Sequence, residues 1–156
     1  MPPATRAFAW SLTTLSLSFK FDEKLVPGQA ATSYPLIQPF AGNMLTNDAE
    51  IYAALRGQIA AHPALGLGGP TLRWLNRSLH EMRDLARLPA PAIPCITFLG
   101  SRESIVDPAA IRARMARWPG GVLHDIKGGL HEMLMDRPEM RDTVTTTTIA
   151  HFDAHR

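Results

Sequence analysis

The chain has 156 residues, of which 46% are hydrophobic and 19% are charged, and this balance predicts a globular domain with a real hydrophobic core. The formal net charge is only +2, and the basic residues are scattered rather than clustered, which argues against nucleic-acid binding. The single cysteine, Cys95, excludes an internal disulfide, and no apolar stretch reaches the length of a membrane span.

An amphipathic helix is predicted near the N-terminus. Apolar residues recur there at helical spacings of four, three and four positions, namely Phe8, Leu12, Leu15 and Phe19. A signal peptide is the alternative, because Arg6 precedes this apolar segment. Serines and threonines interrupt the segment, and no small-x-small cleavage site follows it, so we favour the helix.

Two further helices are predicted before residue 89. Residues 22–46 carry too many prolines and glycines for a long helix. Asn47 is placed to cap the next helix, with Glu50 completing a capping box. The buried face of that helix is predicted at Ile51, Leu55 and Ile59. A longer helix follows Pro70 and has an apolar stripe formed by Leu72, Leu75, Leu79, Met82 and Leu85.

The second half of the chain is predicted to contain two buried strands. Residues 94–99 and residues 122–126 are short apolar runs that contain β-forming side chains. Between them, Asp107 and Pro108 mark the start of a helix. A last helix is predicted at residues 139–154, with inward-facing side chains at Met140, Val144 and Phe152. A strand, helix and strand in succession predict a parallel sheet and an α/β fold class.

Candidate functional residues follow the ends of both strands. Glu103 and Asp107 come after the first strand, and His131 comes after the second. The carboxyl ends of parallel strands are where such sheets place their functional groups. His131 and Glu132 begin like the zinc motif H-E-x-x-H, but methionine stands where the second histidine is needed. No metal or other cofactor is predicted.

The segments G-S-R-E-S-I-V-D-P at residues 100–108 and G-G-L-H-E-M at residues 128–133 resemble the last third of an α/β-hydrolase. Within that fold they are similar to the lysophospholipase and monoacylglycerol-lipase-like group, also called serine aminopeptidase-like hydrolases. The resemblance extends upstream through G-L-G-G-P-T-L-R-W and covers most of the chain. It implies a cap- or lid-like helical region at residues 1–88, followed by a C-terminal core segment at residues 89–156.

The resemblance further implies a Ser-His-acid triad of which this chain supplies the last two members. His131 would accept the serine proton, and Glu103, at the position of the family's acid, would hold the imidazole. Asp107 is the alternative acid, although its place beside Pro108 also suits a helix cap. A third reading is that both carboxylates only cap or solvate the start of that helix.

The nucleophile of such a triad is missing from the sequence. The serines, none of which lies in a G-x-S-x-G motif, are Ser11, Ser16, Ser18, Ser33, Ser78, Ser101 and Ser104. We therefore expect the C-terminal part of a serine hydrolase of lipid esters, such as lysophospholipids, that is inert by itself. The alternatives are a non-catalytic remnant or interaction module and one half of a split hydrolase.

The expected partner is a lipid ester, bound by the full-length enzyme beneath an apolar cap. A hydrolase sheet without its other strands would expose an apolar edge, so we expect the chain to aggregate or to form an oligomer through that edge. The expected location is the cytoplasm or the periphery of a membrane.

Overall fold

A computed structural model describes residues 3–156, and the chain divides into two compact units. The first comprises Met1–Gln38 and Gly57–Leu88, and the second comprises Pro39–Arg56 and Pro89–Arg156. The helices and strands are α1 (Pro3–Ser18), α2 (Tyr34–Ile37), α3 (Ala49–Ala61), α4 (Leu72–Arg87), β1 (Cys95–Gly100), α5 (Pro108–Met115), β2 (Gly121–Ile126) and α6 (Pro138–Asp153). Single 3-10 turns lie at Pro63–Leu65 and Met133–Met135. No helix within the described range is long and apolar enough to cross a membrane.

The predicted N-terminal helix is present as α1, but its buried face is not the predicted one. Ala9, Thr13 and Ser16 are buried, whereas Phe8 and Phe19 are 64% and 72% exposed. Asn76 of α4 donates a hydrogen bond from Nδ2 to Oγ1 of Thr13 at 3.1 Å. The contact with α4 also includes Trp10, whose ring centroid lies 4.6 Å from that of His80, so the contact face runs through Thr13 and Trp10 and leaves Phe8 exposed.

Helix α4 begins after Pro70, as predicted, and is capped by Thr71, whose Oγ1 accepts a hydrogen bond from the Trp74 amide. Its apolar stripe is buried only in the first half of the helix. Leu72 and Leu79 belong to the core, but the later members, Met82 and Leu85, are exposed. The spacing of the apolar residues therefore predicted the position of the helix correctly but overestimated the length of its buried face.

Strands β1 and β2 form the predicted parallel pair, in register from Cys95↔Gly121 to Gly100↔Ile126. Helix α5 joins them, and Oδ1 of Asp107 caps it by accepting from the Ala109 amide at 3.0 Å. The core beside the sheet contains Leu99, Met115 and Val144. Of the side chains predicted to face inward from α6, Val144 is buried, but Phe152, near the end of the helix, is exposed.

The segment Pro39–Arg56 packs with the second unit. The sequence-based division at residue 88 placed it with the helical region. Thr46 donates from Oγ1 to the Met135 carbonyl at 2.6 Å, a contact 89 residues away that local patterns cannot reveal. The predicted cap of α3 was wrong, because Oδ1 of Asp48, not Asn47, accepts from the amides of Glu50 and Ile51.

Candidate active site

Two of the predicted site residues meet at the carboxyl edge of the sheet. Glu103 follows the end of β1, and His131 follows the end of β2. Because the strands are parallel, both segments leave the sheet at the same edge. Oε2 of Glu103 lies 2.7 Å from Nδ1 of His131, which is hydrogen-bonding distance.

The Glu103 carboxylate is fixed on both of its oxygens. Oε1 accepts hydrogen bonds from the amides of Ile105, at 2.6 Å, and Val106, at 3.1 Å, while Oε2 faces the imidazole. Only 5% of the Glu103 side chain is exposed. Burial raises the pKa of this carboxyl, but the hydrogen bond from His131 and the two amide hydrogen bonds outweigh burial and hold the pKa below its ordinary value. The carboxylate is therefore ionised at neutral pH.

An ionised Glu103 can only accept a hydrogen bond, so Nδ1 of a neutral His131 must carry the proton. The unprotonated Nε2 is then available as a base. About 30% of the His131 side chain is exposed, and no group within residues 3–156 donates a hydrogen bond to Nε2. The imidazole thus has one nitrogen engaged by a buried acid and the other open to a reacting group.

A glycine at the end of β1 lets the loop after that strand (residues 101–107, the acid loop) approach the loop that carries His131 (residues 128–136, the His131 loop). A Cβ atom at Gly100 would lie 2.4 Å from the Gly129 carbonyl oxygen, so only glycine fits at the end of β1. The same oxygen accepts from the Arg102 amide at 2.9 Å, and Oγ of Ser101 accepts from the Gly128 amide at 2.8 Å. These hydrogen bonds set the separation of the acid loop from the His131 loop.

The segment Pro39–Arg56 supports the histidine from the other side. The His131 amide donates to the Met44 carbonyl at 3.3 Å, and the Glu132 amide donates to the Leu45 carbonyl at 2.8 Å. Asn47 of this segment also donates a hydrogen bond from Nδ2 to Oδ2 of Asp136 at 2.9 Å. The sequence analysis predicted no role at the site for either residue. Asn47 was noticeable in the sequence as a polar residue before a helix. That position favoured the interpretation as a helix cap over a role beside His131.

The structure separates the two acids that were considered as partners of His131. Glu103 forms the hydrogen bond with the imidazole, whereas Oδ1 of Asp107 caps α5. Within the described residues, no group of three or more His, Cys, Asp or Glu side chains could hold a metal ion.

Two lysophospholipases are similar in sequence to this chain. The chain is 30% identical over 126 residues to lysophospholipase L2 of Escherichia coli K12, which covers 75% of this chain and 37% of that protein. It is 30% identical over 92 residues to probable lysophospholipase L2 of Haemophilus influenzae, covering 58% of this chain and 29% of that one. The chain therefore spans well under half the length of these relatives. No family model matches it.

A solved structure extends the likeness to nearly the whole of this chain. A soluble variant of monoglyceride lipase from Saccharomyces cerevisiae, in complex with a substrate analog, superimposes with a TM-score of 0.64 at 17% sequence identity. The match covers 99% of this chain and 50% of the lipase chain. The fold is thus that of an α/β-hydrolase, represented here by its C-terminal part. Among α/β-hydrolases, the chain is related to the lysophospholipase and monoacylglycerol-lipase-like group.

Proposed function

We propose that this chain is the acid- and histidine-bearing part of a serine hydrolase that cleaves carboxylic esters of lipids. The observation that carries the proposal is the 2.7 Å contact between Glu103 and His131 at the carboxyl edge of a parallel sheet. The nucleophilic serine would lie on a segment outside this chain. Residues 1–38 and 57–88, which form the first unit, would correspond to the cap of the family.

In the proposed reaction, Nε2 of His131 takes the proton from the serine hydroxyl as its oxygen attacks the ester carbonyl. The imidazolium then gives that proton to the departing alcohol, which leaves an acyl-serine. Water repeats the cycle and releases the fatty acid. Glu103 keeps the proton on Nδ1 and stabilises the imidazolium charge, a role that its buried, ionised carboxylate supports.

The choice of lipid esters rests on the relatives' names, since two are lysophospholipases and one is a monoglyceride lipase. The hydrogen-bonded pair of Glu103 and His131 supports the chemistry of ester cleavage. A lysophospholipid and a monoacylglycerol are therefore the two substrates to test first.

A chimera tests the proposal directly. The N-terminal part of E. coli lysophospholipase L2, up to the start of the aligned region, is fused to this chain, and hydrolysis of both lipids is measured. We expect turnover that falls on the order of 10⁴-fold in His131→Ala. Asp107→Asn is the matched control and should retain most of the activity, because Asp107 caps α5. An active chimera that His131→Ala does not impair would refute the proposal.

The absence of a G-x-S-x-G serine from this chain also supports two related roles, one half of a split hydrolase and a non-catalytic interaction module. In either role, the free edges of the sheet would bind a partner, since within the described residues the sheet has only two strands. Mixing this chain with a separate serine-bearing half distinguishes the two roles. A split enzyme gains activity on mixing, whereas an interaction module forms a complex that stays inactive toward serine-directed probes.

A further inference from the structure

One side-chain amide connects three points around the candidate site. Nδ2 of Asn47 donates to the Gly128 carbonyl at 3.1 Å and to Oδ2 of Asp136 at 2.9 Å. Its Oδ1 accepts from Nη1 of Arg102 at 3.0 Å. Gly128 and Asp136 bound the His131 loop. Arg102 is the neighbour of Glu103 in the chain.

Asp136 makes the other half of this network. The residue is fully buried, at 0% exposure, and its carboxylate accepts three hydrogen bonds. Two come from the backbone amide and side chain of Asn47, at 3.1 and 2.9 Å, and the third comes from the Arg137 amide at 2.7 Å. A buried carboxylate requires such donors. The hydrogen bonds between Asn47 and Asp136 therefore fix the end of the His131 loop relative to Asn47.

We propose that Asn47 and Asp136 are positioning residues that set the imidazole of His131 against Glu103. The loop needs such a restraint because it begins with two glycines, one of which, Gly128, has φ of +78°. Asn47 joins the two ends of the loop to each other and joins both to the acid loop through Arg102. The catalytic meaning of this role rests on the proposed function, but the positioning itself does not.

The chemistry of the asparagine amide explains why this residue type stands here. Its NH₂ group supplies two donors and its oxygen supplies an acceptor, and all three are used. Aspartate would have the same shape but no donor, and it would place a second carboxylate beside Asp136. Serine and threonine have one donor each and could not reach both ends of the loop at once.

The test uses the chain as it is, labelled with ¹⁵N, and reads the tautomer of neutral His131 by long-range ¹H–¹⁵N NMR. A His131→Gln spectrum identifies the signals. In the unaltered chain the Nδ1–H form should dominate. We expect Asn47→Ala and Asp136→Asn each to lower the ratio of the Nδ1–H to the Nε2–H form about fivefold, which corresponds to roughly 1 kcal/mol of lost hydrogen-bond energy. The double variant should lower the ratio no further than the larger single effect, because both residues belong to one network.

Two more variants separate positioning from general stability. Asn76→Ala removes a buried asparagine from α4, where its amide bonds Thr13, and should lower stability without changing the tautomer ratio. Arg102→Ala removes an exposed partner of Asn47, keeps the core intact, and should shift the ratio about twofold in the same direction. The proposal is overturned if Asn47→Ala or Arg102→Ala leaves the ratio unchanged, or if Asn76→Ala shifts it equally. Because the measurement needs no turnover, its result is independent of the activity of the chimera.

Discussion

Oε2 of Glu103 and Nδ1 of His131 lie 2.7 Å apart although the two residues are 28 positions apart in the chain. The parallel pairing of β1 with β2 accounts for this contact, because it ends at Gly100↔Ile126 and directs both following loops to one edge. The acid is buried and the imidazole is partly exposed, at 5% and 30% of their side chains. In the proposed function the buried carboxylate holds the imidazole and the exposed imidazole acts as the base, so a substitution of Glu103 should lower the reactivity of His131.

The first prediction concerns the acid. In the chimera, Glu103→Gln should lower kcat by on the order of 10⁴-fold with little change in KM. The glutamine amide can donate to Nδ1, which favours the tautomer with the proton on Nε2 and removes the base. Steady-state kinetics on the lysophospholipid measure the effect.

Glu103→Asp is the informative companion variant. Aspartate keeps the charge but is one methylene shorter, so activity should fall less than in Glu103→Gln. If Glu103→Gln and Asp107→Asn reduce kcat equally, Glu103 is not the acid of the pair.

The second prediction is a pH dependence of stability. The pKa of Glu103 is lower in the folded chain than its ordinary value of 4.5. Its stabilising contribution is therefore fully present above about pH 4.5 and is lost as the pH falls through the folded-state value. The difference in free energy of unfolding between the unaltered chain and Glu103→Gln should be largest at neutral pH and should shrink in acid.

Urea unfolding of both proteins, from neutral pH down to about pH 3, measures this difference. Taking the difference between the proteins removes the contribution of every group that titrates alike in both. A gap that stays constant over this range, or widens in acid, would contradict a lowered pKa.

The third prediction concerns the close approach of the two loops. Gly100→Ala would place a Cβ atom 2.4 Å from the Gly129 carbonyl oxygen, and backbone must move to relieve the clash. We expect a loss of about 1–3 kcal/mol in the free energy of unfolding. We also expect a weaker contact between Glu103 and His131, seen as a shift of the His131 ring signals.

Gly57→Ala is the matched control for this substitution. Gly57 lies inside α3, and a Cβ atom there would have no heavy atom within 4 Å. The same chemical change should therefore stabilise the chain by about 0.5–1 kcal/mol, since alanine is the better helix former. A neutral or stabilising Gly100→Ala would show that the two loops can separate at no cost.

The parts of this fold that could be predicted are those specified by neighbouring residues. Both strands, the Asp107 cap of α5 and the choice of Glu103 over Asp107 as the partner of His131 followed from short patterns, together with the family resemblance. Each of these features depends on residues close together in the chain or on a motif that retains its spacing.

The parts that could not be predicted depend on contacts between distant residues. Asn47 was expected to cap α3, but a side chain 89 positions away, Asp136, engages its amide, and Asp48 takes over the cap. Asn47 and Asp48 are both residue types that cap helices. The local sequence does not indicate which of the two forms a hydrogen bond with a distant residue instead. For α1, the spacing of apolar residues defines a face, but only the surface of α4 decides whether that face is buried.

The last prediction compares two substitutions in α1 for which hydropathy and the structure predict opposite effects on stability. Hydropathy alone predicts that Phe8→Ser harms the helix and that Thr13→Val is harmless. The structure predicts the reverse, because Phe8 is exposed, while Thr13 is fully buried and accepts a hydrogen bond from Asn76. Thr13→Val keeps the shape but leaves the Asn76 amide unsatisfied, so it should cost about 1–3 kcal/mol. Phe8→Ser should change the free energy of unfolding by less than about 0.5 kcal/mol. Urea unfolding of the two variants decides the matter, and a larger loss for Phe8→Ser would mean that the apolar face of α1 is the packed one.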